Sequence, residues 1–173
     1  MNPPISHFYD LSRLSGAGDE VVVAAKADEF ERLARWAQID AVTRFEGRIA
    51  LRKLSQTRFG YEAELSADIV QSCVVTLEPV HTHIRRGFSR SLHLAGGRAV
   101  QWDATLTVAP GDDDSSEEIE CPRFDLAAPL LEEFSLAVDP YPRAPGVAFE
   151  SAAPGIAVPP NPFAVLKKLK PGA

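Results

Sequence analysis

Apolar and polar residues alternate along three long stretches of the chain, which predicts extended strands. Over residues 42–54 the even-numbered positions are mostly charged and the odd-numbered positions mostly apolar. Residues 61–75 and 81–94 also lack helix signals, and Glu78-Pro79 separates them. Because successive strand residues face opposite sides and sequential strands usually pair, these stretches predict a largely antiparallel meander.

Two shorter patterns predict further strands. Residues 21–23 are three consecutive valines, and β-branched runs of this kind are typical of strands. Residues 99–108 place Trp102, Leu106 and Val108 on one parity, which favours another strand.

A first helix is predicted near residues 28–39. Asp28 and Glu31 have the spacing of a capping box at its start. The apolar residues that follow have helical spacing and define one face: Phe30, Leu33, Ala34 and Ala37.

A second helix is predicted from about residue 127 to residue 137. Pro129 is compatible with it because proline is tolerated in the first turn of a helix. The residues that share its apolar face are Leu126, Leu130, Leu131 and Phe134.

The two ends of the chain differ from its middle. Residues 1–18 show little periodicity and end in Ser15-Gly16-Ala17-Gly18, which indicates an N-terminal arm and a turn. Residues 139–173 are rich in proline and indicate an extended tail with a short amphipathic end segment. We therefore predict an α+β fold in a single domain over residues 1–138: a mostly antiparallel sheet or a partly closed barrel, with two main helices.

Composition is that of an ordinary globular protein. The chain has 173 residues, of which 45% are hydrophobic and 24% charged, so a substantial core is expected. Cys73 and Cys121 lack the density and spacing of a disulfide framework, and no apolar run reaches the length of a signal peptide or membrane span. A cytoplasmic protein with no membrane association is expected.

Charge is segregated along the chain. The formal net charge of -6 excludes a protein that coats nucleic acid with its whole surface, so any RNA contact must be local. Residues 111–120 form a concentrated acidic loop that should be exposed, whereas residues 81–98 contain four arginines and three histidines but no acid.

Two interpretations of the arginines remain open. If the strand over residues 42–58 neighbours the strand over residues 81–94, their arginines merge into one basic face suited to phosphate. Alternatively, they are solvated strand residues paired with the acidic loop. The candidate RNA contacts are Arg44, Arg48, Arg52, Arg85, Arg86 and Arg90.

Other chemistry has weaker support in the sequence. His81 and His83 project to the same side of a strand, as metal ligands do, but no glutamate follows over residues 84–91 and surface histidines are the commoner explanation. Cys73 lies in an apolar run without an adjacent activating charge, so we interpret it as a buried free thiol. Standard hydrolase, phosphate-loop, dinucleotide and zinc-protease motifs do not occur. We predict no enzymatic activity, no cofactor and no metal.

Three segments in order resemble the YceD family, most closely its alphaproteobacterial branch. They are QSCVVTLEPV at residues 71–80, FDLAAPLLEEFSLAVDPYPRAPG at residues 124–146, and NPFAVLKKLK at residues 161–170, while residues 1–60 match only in general layout. The resemblance implies a bacterial cytoplasmic protein required for accumulation of large-subunit ribosomal RNA. It implies no catalytic residue.

The chain departs from the family pattern at its cysteines. Many members of other lineages carry C-x-x-C where this chain has Cys73 and Thr76, and some carry further cysteines near the region matching residues 142–162. Tetrahedral structural zinc needs four ligands, so this departure argues against a zinc site here.

The amphipathic end segment is a candidate docking element. On a helix its lysines would lie opposite its apolar residues, and the alternative is that it closes the protein's own core. The candidate docking residues are Phe163, Leu166, Lys167, Lys168 and Lys170.

The resulting hypothesis is a non-enzymatic factor in 23S ribosomal RNA accumulation, processing and ribosome assembly. Its expected partners are ribosomal RNA, large-subunit ribosomal proteins or both, and the acidic loop is a possible second surface for a basic protein. The alternative hypothesis is a small-molecule or metal-binding β domain that uses His81, His83 and a neighbouring carboxylate. A third hypothesis is an enzyme with Cys73 as its nucleophile. The sequence does not specify an oligomeric state.

Overall fold

The computed structural model describes residues 3–95 and 116–148. Seven strands and two α-helices are present in these ranges, together with a 3-10 turn at Leu11–Arg13. In chain order the elements are β1 (Phe8–Asp10), β2 (Asp19–Ala24), α1 (Ala27–Ala37), β3 (Ala41–Lys53), β4 (Arg58–Ser72), β5 (Pro79–Leu94), β6 (Glu117–Ile119), β7 (Arg123–Asp125) and α2 (Ala127–Ala137).

The main sheet has the strand order β2-β3-β4-β5-β6. Strands β2 to β5 form the predicted antiparallel meander, whereas β6 pairs in parallel with the last residues of β5. Over the described residues the sheet is open, so the α+β class is confirmed and the barrel alternative is wrong.

Both helices pack on one face of the sheet. The rings of Phe45 on β3 and Phe134 on α2 meet edge to face, with centroids 5.4 Å apart. Leu33 of α1 and Leu130 of α2 belong to the same buried cluster as the odd-numbered residues of β3 and β4. The opposite face, which we call the outer face, carries the even-numbered residues of β3 from Arg44 onward and those of β4, and it is exposed or half-buried.

A bulge in β3 changes the side to which its first residues point. The pairing with β4 shifts between Val42 and Arg44, so Thr43 has no opposite residue. Val42 and Phe45 are therefore both buried, although simple alternation placed Val42 with the charged residues and Thr43 with the apolar ones.

Helix α1 begins one residue before the predicted position. The Lys26 N–H donates to the Glu29 carboxylate at 2.9 Å, so Glu29, rather than Glu31, reaches back to the start of the helix. The capping role assigned to Asp28 is wrong, whereas the predicted apolar face is confirmed by burial of Leu33 and Ala34. Helix α2 has the predicted bounds and buries its predicted face.

The N-terminal arm is part of the core. Its residues 8–10 pair antiparallel with β7, and Leu11 and Leu14 are almost fully buried. The Leu11 N–H donates to the Pro122 carbonyl at 2.9 Å. The arm contains too few residues for periodicity to show, which is why its strand was not predicted.

Several predicted features lie outside the described residues. These are the strand over residues 99–108, the acidic loop up to Ser115 and the tail from residue 149 onward, including Phe163, Leu166, Lys167, Lys168 and Lys170. Residues 139–148 contain no helix or strand, as predicted. Neither described helix is long and apolar enough to cross a lipid bilayer.

Candidate functional site

Three candidate arginines line the outer face along β3. Arg44, Arg48 and Arg52 are spaced four residues apart and therefore point to the same side of the strand. Their side chains are exposed because the odd-numbered residues are the ones buried beneath the helices. This placement follows from the strand alternation seen in the sequence.

Strand β4 lies between β3 and β5 and brings acids to the same face. Arg44 is opposite Asp68 and Arg48 is opposite Glu64, while Arg52 forms an ion pair with Glu62. The two basic strands are therefore not neighbours, as the predicted basic face required, and the strand between them carries acids on the same face.

Glu46 engages two of the candidate arginines. Its carboxylate accepts hydrogen bonds from Arg44 Nη2 at 3.1 Å and from Arg48 Nε at 3.2 Å. These bonds hold the pKa of Glu46 below its usual value. Arg44 and Arg48 are therefore ion-paired, but with a glutamate of their own strand and not with the acidic loop that the sequence analysis named as the partner.

Strand β5 divides its arginines between the two faces. Arg85 is opposite Ser66 on the outer face, and the adjacent Arg86 is opposite Leu65 on the other face. Both are exposed, and neither forms an ion pair within residues 3–95 and 116–148. Of the candidate arginines, these two are the most available to bind phosphate, because no described carboxylate engages them.

Arg90 belongs to the contact between β5 and α2. Its guanidinium donates to Glu132 at 2.6 Å and to Glu133 at 3.0 Å, and it stacks 5.5 Å from the centre of the Phe88 ring. The hydrogen bond to Glu132 raises the pKa of Arg90. Arg90 therefore joins a helix to the sheet and does not share a basic strip with Arg85.

A depression of about 290 Å³ on the outer face is lined by three of the candidate arginines. Arg44, Arg48, Arg85 and His83 line it, together with two glutamates. Three guanidinium groups around one depression can bind an oxyanion such as a phosphate, at the cost of releasing the Glu46 ion pairs.

His83 and His81 lie on the outer face as predicted, but His83 is engaged by a carboxylate. Its Nδ1 lies 2.5 Å from Asp68 Oδ1, while His81 is opposite the apolar Val70. Among the residues that the structure describes, no group of three or more His, Cys, Asp or Glu side chains could hold a metal. The described part of the chain therefore does not assemble the alternative His81–His83 metal site.

Cys73 is a buried free thiol, and its environment adds a feature that the sequence did not indicate. Its Sγ accepts the N–H of Ala144 at 3.3 Å and that of Thr76 at 3.5 Å. Hydrogen bonds from Thr76, followed by those from Ala144 and Val75, lower the pKa of the thiol from 9.0 to about 6. An adjacent charge was the signal sought in the sequence, whereas the Thr76 side chain, together with nearby backbone amides, produces the effect.

The described end of the acidic loop is a short strand. Glu117 and Glu118 are exposed on β6, and Ile119, the last residue of this strand, is buried. The expected exposure of the acids is confirmed for these two residues.

Comparison of the chain with protein-family models, curated proteins and solved structures found no match.

Proposed function

We propose that this protein is a non-enzymatic bacterial factor for accumulation or processing of 23S ribosomal RNA and for ribosome assembly. Its site of action is the cytoplasm, and its partners are ribosomal RNA, a large-subunit ribosomal protein or both. The resemblance of residues 71–80, 124–146 and 161–170 to the YceD family supports this proposal.

The observation that supports RNA binding most directly is that Arg85 and Arg86 are exposed and lack a carboxylate partner among the described residues. Arg85 also borders the depression that holds Arg44 and Arg48. Two cations on either side of one strand can each contact a different phosphate, and such contacts provide affinity without reading the base sequence.

The pairing of arginines with acids on the outer face determines how strongly the protein is expected to bind RNA. Most outer-face arginines are opposite or bonded to acids, so only a few phosphates can be neutralised without breaking ion pairs. We therefore expect weak, strongly salt-dependent RNA binding. A ribosomal protein bound through exposed acids such as Glu117 and Glu118 would add affinity.

The proposal is tested in cells by replacing the native gene with the Arg85→Ala/Arg86→Ala variant. We expect the ratio of 23S to 16S ribosomal RNA to fall, as it would on deletion of the gene. The matched control is Arg32→Ala/Arg35→Ala, which removes two exposed arginines from α1 and should leave the ratio unchanged. An unchanged ratio in the deletion strain would contradict the proposed function.

A further inference from the structure

Four large apolar side chains are exposed at one end of the molecule. Val74, Val75 and Leu77 belong to the turn between β4 and β5, and Tyr141 adjoins Pro142, whose carbonyl accepts the Val74 N–H at 2.9 Å. Leu77 and Tyr141 are 77% and 71% exposed. We call these four residues the turn patch. Apolar surface concentrated in this way marks interaction sites more often than scattered exposed residues do.

The turn that presents the patch is held in one conformation. The Leu77 N–H donates to the Cys73 carbonyl at 2.9 Å, and the Cys73 N–H donates to the Glu78 carbonyl at 2.8 Å. Leu77 has φ of +62°, a left-handed conformation that costs a leucine about 1–2 kcal/mol. The fold therefore holds a leucine in solvent at an energetic cost.

The chain returns to the patch shortly before the described residues end. Hydrogen bonds tie residues 139–144 to the end of β4: Gln71 Nε2 to the Asp139 carbonyl at 2.8 Å and the Ala144 N–H to Cys73 Sγ at 3.3 Å. The described chain stops at Ala148, four residues after Ala144. Residues 149–173 therefore continue from a point anchored beside the patch.

Carboxylates surround the patch. Asp40, Glu78 and Asp139 are exposed near it and form no ion pair with any described residue, whereas Arg143 is the nearby cation. Asp40 is placed there by a 2.8 Å hydrogen bond from Ser72. An apolar patch with an acidic rim fits an apolar segment that carries lysines.

We propose that the turn patch binds this chain's own C-terminal segment, residues 163–170. The segment supplies apolar residues at helical spacing, Phe163, Leu166 and Leu169, and three lysines for the acidic rim, Lys167, Lys168 and Lys170. The connection over residues 149–162 spans up to about 45 Å when extended, so the segment reaches the patch easily. Tethering also raises its effective concentration to the millimolar range. This inference is independent of the proposed function.

Zero-length carbodiimide cross-linking of the full chain tests the proposal, because it joins lysine amines to carboxylates in direct contact. We expect cross-links from Lys167, Lys168 or Lys170 to Glu78 or Asp139. A mixture of ¹⁵N-labelled and unlabelled protein should give cross-links only within one molecule.

Matched variants separate apolar docking from charge attraction. Leu166→Asp in the segment and Leu77→Asp in the turn should each abolish the cross-links, and aspartate tolerates the left-handed conformation better than leucine. The controls are Ala164→Asp, which lies on the side of a helical segment opposite Leu166, and Leu54→Asp, an exposed leucine at the opposite end of β4. Both should keep the cross-links.

Three results would overturn the proposal. Cross-links to other carboxylates would place the segment elsewhere. Equal cross-linking in all four variants would show that charge attraction alone, without apolar docking, holds the segment. Cross-links between labelled and unlabelled molecules would make a second copy the occupant.

Discussion

The N–H of Ala144 donates a hydrogen bond to the Sγ of Cys73 across 3.3 Å, and 71 residues of chain separate the two. Hydrogen bonds from the side chain and the amide of Thr76 favour the thiolate, and the Ala144 bond adds to them, which is why the pKa of Cys73 falls to about 6. The ionisation of one thiol is thereby linked to the folding of residues 139–144 onto the end of β4.

We predict that Cys73→Ser removes a pH-dependent part of the folding stability. Because the folded pKa of about 6 lies below the ordinary value of 9.0, the unfolded chain binds more protons between these values and stability rises with pH. The contribution is complete above pH 9 and is lost as the pH falls through 6. Urea unfolding under reducing conditions, compared with Cys121→Ser as the exposed-thiol control, measures it. Parallel pH profiles for wild type and Cys73→Ser would contradict the prediction.

We predict that Gly47→Ala destabilises the contact between β3 and α2. A Cβ at Gly47 would lie 3.0 Å from Leu130 Cγ and closer still to both of its methyl groups, and Leu130 is fully buried. Overpacking of this kind costs about 1–3 kcal/mol. Chemical denaturation measures the loss.

The partner residue provides the control for this overpacking. Leu130→Ala alone should cost about 2–5 kcal/mol through the cavity it leaves. In the double variant the new methyl group occupies part of that cavity, so the combined loss should be smaller than the sum. Strict additivity would show that the two residues do not compete for the same space.

We predict that Arg90 and Arg85 differ in how much they contribute to the free energy of unfolding. Arg90→Ala leaves Glu132 and Glu133 without their shared cation and should lower the unfolding free energy by about 1 kcal/mol, because these ion pairs are only partly buried. Arg85→Ala removes no described ion pair and should change it by less than about 0.5 kcal/mol. Thermal unfolding compares the two, and equal losses would contradict the separate roles assigned to them.

Sequence patterns predicted the sheet better than the site. Alternation within β3 and β4 and helical spacing within α2 depend on neighbouring residues, so the sequence contains the information directly. The division of the arginines depends on distant partners. Glu132 is 42 residues from Arg90, and Glu64 opposes Arg48 only in the particular register that β3 and β4 adopt. The bulge at Thr43 likewise depends on how β3 pairs with β4. It places Val42 and Thr43 on the faces opposite to those that strict alternation assigned to them.

We predict that Glu46→Gln strengthens RNA binding. The substitution removes the carboxylate that engages Arg44 and Arg48 while keeping the size of the side chain, so both guanidinium groups become available to phosphate. The slope of log affinity against log salt should steepen by about 0.7–0.9 for each phosphate gained. Glu31→Gln, on α1, is the control with the same charge change. An equal gain in both variants would indicate a general charge effect.

The most direct test of the central claim is binding of the purified protein to 23S ribosomal RNA fragments across a salt series. Arg85→Ala/Arg86→Ala is compared with wild type and with Arg32→Ala/Arg35→Ala, which carries the same net charge. We predict salt-sensitive binding by wild type and the control, and a slope shallower by about 1.4–1.8 in the Arg85/Arg86 variant, because two phosphate contacts are lost. Identical slopes in all three proteins, or no binding at low salt, would contradict RNA contact through these arginines.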